Sequence, residues 1–99
     1  MENPDREIII FSTKSQIEKV KDSLFWKDVE RELSAWKKGF EIERNNVVPD
    51  AAEANHTTAN VLMHLGSIDG RIKAIDYLLS LPDIFLSILE DKENDSKRE

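Results

Sequence analysis

The sequence predicts an all-α protein: a long antiparallel helical hairpin with a short N-terminal helix or arm and a short C-terminal helix after Pro82. Three observations predict it. Apolar residues recur at alternating steps of three and four through two long stretches. Turn material is scarce, with three glycines and three prolines in 99 residues, which disfavours a β fold. A group of turn formers, Asn45-Asn46-Val47-Val48-Pro49, separates the two stretches near mid-chain.

The length suits one domain. Residues 1–11 read as a loose arm. Ile8-Ile9-Ile10-Phe11 is β-prone but has no second strand to pair with, so it reads as an extended arm or packed lead-in. Residues 12–45 form the first helical arm. Ser12 and Thr13 are N-cap candidates for a helix to about Asp22 that carries Ile17 and Val20 on one side. Asp22-Ser23 either caps the next helix or decorates one continuous rod. From Leu24 to about Asn45, Trp26, Val29, Leu33, Trp36 and Phe40 follow steps of 3, 4, 3 and 4, a narrow seam of the coiled-coil kind.

Residues 46–57 are expected to be the hinge, because Pro49 disfavours helix at Val48. The second helix, over 58–81, starts at Thr57 or Thr58, or earlier at Asp50, whose spacing to Glu53 is that of a capping box. Leu81-Pro82 predicts a stop or kink, with Pro82 then opening a short helix over 82–90 that carries Ile84, Phe85, Ile88 and Leu89. Residues 91–99 hold nothing to bury and read as a solvated, frayed tail.

The second helix is apolar on two opposite sides. Val61, Leu65, Ile68, Ile72, Ile75 and Leu79 match the period of the first seam and should pack against it. The reverse side holds Ala59, Met63, Gly66, Gly70, Ala74, Tyr77 and Leu81, with Asp69, Lys73, Asp76 and Arg71 on its flanks. Two mid-helix glycines cost about 1 kcal/mol each against alanine, so something should offset them. Two readings stay open: the Ile8–Val20 or Ile84–Leu89 segment covers this side in cis, or another subunit or foreign protein covers it. A mixture is also consistent, with one end covered internally and the glycines facing a partner.

Composition narrows the function. Fourteen basic and 20 acidic residues leave a formal charge of −6, which repels nucleic-acid phosphates and anionic membranes. Lys37-Lys38 is the one basic pair before the tail, and Glu41 and Glu43 follow it. The longest apolar run, Ile8 to Phe11, is far short of the roughly 20 residues that span a bilayer. The N-terminus has neither the basic start nor the apolar stretch of a secretory signal, so a soluble, intracellular setting is expected.

No cysteine is present for disulfides, thiol catalysis or thiolate metal sites. His56 and His64 stand eight apart, which is not the three- or four-residue spacing of helical zinc ligands. The serines lack a nucleophile motif, and there is no glycine-rich phosphate loop. A thin hairpin offers its carboxylates no deep pocket to shift their titration. Trp26, Trp36 and Phe40 have the spacing of a core seam rather than a base-stacking platform. The sequence therefore predicts no catalytic residue, cofactor or metal, and a protein that is not an enzyme.

Two stretches, Trp26-Lys-Asp-Val-Glu-Arg-Glu-Leu33 and Gly70-Arg71-Ile72 through Ile75, Leu78-Leu79 and Leu81-Pro82, give the chain a resemblance to small helical proteins encoded among tailed-bacteriophage head-assembly genes. The resemblance spans about two thirds of the chain, from Leu24 to Glu90, and is a pattern rather than a signature. It implies a virion-associated or assembly role in the virion or host cytoplasm, through contact with capsid, portal or another copy, and a homo-oligomer. It carries over no catalytic residues. The residues expected at that interface are Met63, Gly66, Gly70, Ala74 and Tyr77. The alternative is a small acidic phage-encoded inhibitor of a host protein, although Glu30, Glu32, Asp69 and Asp76 are interspersed with cations rather than clustered. A transcriptional regulator ranks last, since no basic recognition helix is present.

Overall fold

The computed structural model describes residues 7–54 and 57–98. The chain forms the expected all-α hairpin, and among the described residues there is no strand. Helix α1 spans Lys14–Lys21, α2 spans Leu24–Ala54 and α3 spans Thr58–Arg98. The molecule measures 62 × 34 × 17 Å. A 41-residue helix at 1.5 Å per residue accounts for the long dimension, and the thin one leaves little depth for a core.

Local chemistry sets the helix starts. Thr13 caps α1 through a capping box: its hydroxyl accepts from the Gln16 N–H at 3.2 Å, and the Gln16 side chain accepts from the Thr13 N–H at 2.9 Å. Ser23 separates α1 from α2. Its hydroxyl donates to the Val20 carbonyl at 2.6 Å and accepts from the Trp26 N–H at 3.1 Å, so Asp22-Ser23 is a break with a cap. Thr57 caps α3, accepting from the Asn60 N–H at 3.2 Å. Ile8 to Phe11 has no regular structure, with Ile8 and Ile10 half-buried and Ile9 and Phe11 exposed, the alternation of an extended arm.

Two expected interruptions are absent. The hinge placed at 46–57 is helical through Ala54, with Pro49 inside α2, and the Asp50–Glu53 capping box is not used. The stop at Leu81-Pro82 is absent too, and the separate short helix expected over 82–90 is a continuation of α3. In both places packing outweighs the lost backbone hydrogen bond. Val47 and Ala51, on either side of Pro49, are 5% and 8% exposed. Pro82 is itself buried, and Leu79 and Leu86 to either side are partly covered. The frayed tail expected from residue 91 is helical to Arg98, and Lys14 of α1 holds Glu93 at 2.9 Å. Residues 1–6 of the expected arm, and His56, lie outside the described residues.

The core lies where α2 and α3 face each other. Val47, Ile68 and Ile72 form its centre, with Phe40, Val61 and Leu65 packed around them. Ile68 is fully buried and Ile75 nearly so. The whole predicted α3 seam from Val61 to Leu79 is thus covered. On α2 one member departs from expectation: Trp36 is 56% exposed and donates its indole N–H to Glu32 at 2.9 Å. Lys37 takes the inward position instead, laying its stem along the seam while its amine reaches Asp76 at 2.7 Å. One heptad further along both helices, Arg44 meets Asp69 at 3.0 Å. The two pairs share one register and mark the antiparallel alignment along the middle of the hairpin.

Helix α1 lies on the C-terminal half of α3, antiparallel to it, tied by Lys21 to Asp83 and by Lys14 to Glu93, with Ile17 buried beneath it. The hydrogen bonds to Glu93, Asp83 and Asp76 hold the Lys14, Lys21 and Lys37 amines above their ordinary pKa of 10.5. A raised folded-state pKa means the stabilisation is complete below pH 10.5 and disappears as pH rises through the higher folded value.

Two predictions follow from this packing. Ile68→Ala should destabilise the chain by about 2–5 kcal/mol, read by urea unfolding, because a fully buried side chain leaves a cavity. Melting temperature followed by circular dichroism should fall as pH rises above 10.5, and fall less in Lys37→Met. Identical alkaline slopes in the two proteins would remove Lys37 from the account.

Candidate functional site

The sequence singles out Met63, Gly66, Gly70, Ala74 and Tyr77, and α3 brings all five onto one exposed stripe. Steps of 3, 4, 4 and 3 keep them within about 80° on a helix, on the side turned away from the Ile68–Ile72 core. Met63 is 74% exposed and Tyr77 47%. A Cβ added at Gly66 or Gly70 meets nothing within 4 Å. Among the described residues no neighbouring element requires these glycines. Leu62 and Leu78 border the stripe and are also exposed, so the apolar surface is wider than the five residues.

Cover in cis reaches only part of this side. Ala59 is exposed like the five, whereas Leu81, Ile84, Phe85 and Ile88, which continue the same side of the helix, are half-buried. The difference is α1, which runs beside that C-terminal stretch. The Ile84–Leu89 segment does not fold back over the stripe, because it belongs to the same helix. One end of the reverse side is therefore covered internally, and the glycine end is open.

The flanks carry charge. Asp69 and Asp76 face α2 and pair with Arg44 and Lys37, yet their side chains remain 47% and 50% exposed. Lys73, on the same flank, makes no ion pair among the described residues. Arg71, on the other, lies 5.5 Å from the Phe40 ring centre in a cation–π contact. His64 is an exposed flank residue, with its Nε2 3.2 Å from a Glu43 carboxylate oxygen.

Two concave regions lie outside the stripe. A cleft of about 590 Å³ near the hairpin's connecting end is lined by Glu43, Asp50, Asn60 and His64 over Val47 and Val61. Another, of about 500 Å³, opens where α1, α2 and α3 converge, lined by Ile17, Val20, Trp26, Leu78, Pro82 and Phe85. No spacing in the sequence announces the second, because its walls come from three helices whose meeting depends on the break at Asp22-Ser23. Among the described residues no three His, Asp or Glu side chains stand close enough together to hold a metal ion. Nor is any helix among them long and apolar enough to cross a membrane.

Compared with known protein families, characterised proteins and solved structures, the chain has no significant match.

Glycines in open helical surface test that geometry directly. In dilute protein, Gly66→Ala should stabilise the fold by about 0.5–1 kcal/mol, as should Gly39→Ala on α2, where an added Cβ also meets open space. The readout is a higher melting temperature with an unchanged far-ultraviolet spectrum. A fall for Gly66→Ala alone would mean that this part of α3 is covered within the chain.

Proposed function

We propose that this chain is a non-enzymatic protein-binding protein that docks its partner along the Met63–Tyr77 side of α3. The observation that supports this most is the contrast across one helix. Ile68, Ile72 and Ile75 are buried on one side, while an apolar side directly opposite, interrupted by two unconstrained glycines, faces solvent. Exposed apolar surface of this kind marks interaction sites. Small residues at its centre let another backbone approach closely, extending favourable packing between helices.

The same proposal takes the biological setting from the resemblance of Trp26–Leu33 and Gly70–Pro82 to head-assembly proteins of tailed phages. In that setting the chain is a virion-associated or assembly component, working in a particle or in the host cytoplasm against capsid, portal or its own copies. No cofactor or metal enters this role, and neither nucleic acid nor membrane is its target. The paired arrangement of Asp69, Asp76, Asp83 and Glu93 with cations spreads the acidic charge rather than concentrating it on one docking face.

Gly70→Leu tests the reading, since the added side chain enters open space in the single chain but blocks close approach of a partner. Helicity should be retained by circular dichroism, while solution mass by light scattering falls, or capture of phage or host proteins from lysate is lost. Unchanged mass together with unchanged capture would refute it.

A further inference from the structure

We infer that the partner for this side of α3 is a second copy of the same chain, laid antiparallel about a two-fold axis passing beside Gly70. The inference rests on the reading that this side binds protein, and names what it binds. Three independent features converge on Gly70.

The first is the extent of the open surface. It begins where α3 begins, at Thr58, and ends where α1 takes over, at the level of the Lys21–Asp83 pair. The midpoint of that stretch is Gly70. A second α3 rotated about that point starts at the level of this copy's Pro82. It fills the open stretch from end to end and stops where α1 begins.

The second is the order of sizes along the stripe. From Ala59 to Leu81 the steps are 4, 3, 4, 4, 3 and 4, the same read in either direction, with Gly70 at the centre. Two-fold rotation sets Gly70 against Gly70, Gly66 against the second copy's Ala74, and Met63 against its Tyr77. The small residues meet where the helices cross, and the larger ones close the contact on either side. A parallel pairing instead sets Met63 against Met63 and Tyr77 against Tyr77.

The third is charge. Antiparallel two-fold packing brings each flank against its own counterpart. Lys73, which makes no ion pair among the described residues, then lies about 3 Å along the axis from the second copy's Asp69. The Asp69 side chain is 47% exposed beside Arg44 and has an oxygen to offer. The pair forms twice, once on each side of the axis, as an isologous contact requires.

The open stretch is about 37 Å long and one helix wide, smaller than the roughly 800 Å² per partner of a standard interface. Association is therefore reversible on dilution rather than obligate.

The chain contains no cysteine, so introduced ones report contacts without interference. Light scattering on the full chain should show a mass rising from monomer toward dimer with concentration, and Lys73→Glu should shift that rise to several-fold higher concentration. Under mild oxidation Gly70→Cys should cross-link to itself. Gly66→Cys mixed with Ala74→Cys should give the mixed disulfide well in excess of either self-linked product. Self-linked Ala74→Cys equal to or above the mixed product would overturn the antiparallel register. A monomer at every concentration would overturn self-association altogether. Loss of foreign capture by Gly70→Leu in that case would leave the protein-binding reading standing, so the two failures are separable.

Discussion

Burial of Ile68 between the long helices is the contact on which the rest of the arrangement depends. It is the one large side chain fully removed from solvent among the described residues, and Val47 and Ile72 pack around it. A seam with a seven-residue repeat tolerates sliding only in whole heptads, and each slide leaves apolar residues unmatched at the ends. The ion pairs Lys37–Asp76 and Arg44–Asp69 sit one heptad apart on both helices and agree with a single register. Exposed pairs of this kind contribute little energy. They read as markers of an alignment that the buried isoleucines and Val47 establish.

That dominance explains why two prolines do not end their helices. A helical proline forfeits a hydrogen bond and strains the preceding turn, a local effect of about 3 kcal/mol. Against it stands the continuity of the seam. On α3, Ile75, Leu79, Pro82, Leu86 and Leu89 keep steps of 4, 3, 4 and 3 straight through the proline, and all five are at least partly covered. On α2 the repeat passes from Phe40 to Val47 and Ala51 in the same way. A local rule for breaking helices lost to a long-range rule for burying side chains.

Much of this was legible from residue order. The class, the two long helices, the Thr13 and Thr57 caps and the full α3 seam all follow from periodicity and capping chemistry. The hinge position did not, because turn-forming Asn45 and Asn46 and the proline speak for a break while the apolar repeat passes through them. Trp36 was misplaced because two adjacent positions compete for the inward direction. There a flexible lysine stem with a carboxylate in reach displaces a bulky indole that finds Glu32 outside. The five stripe residues were legible as a group. Which part of their side α1 covers was not, since that depends on how the chain turns at Asp22-Ser23.

The thinness of the molecule connects the fold to its use. At 17 Å in its smallest dimension, a two-helix layer has one inner surface, and any apolar residue elsewhere stays wet unless another element is laid over it. Helix α1 is that element for the C-terminal half of α3. The N-terminal half has the same apolar character and no cover among the described residues, and two of its positions carry glycine although a Cβ fits there without contact. Within a single chain those glycines only weaken the helix, since alanine would hold it better in the same space. A residue choice that is unfavourable in one molecule and favourable where two backbones approach is what a docking surface demands. On the proposed function, the weakness at Gly66 and Gly70 belongs to a contact between molecules.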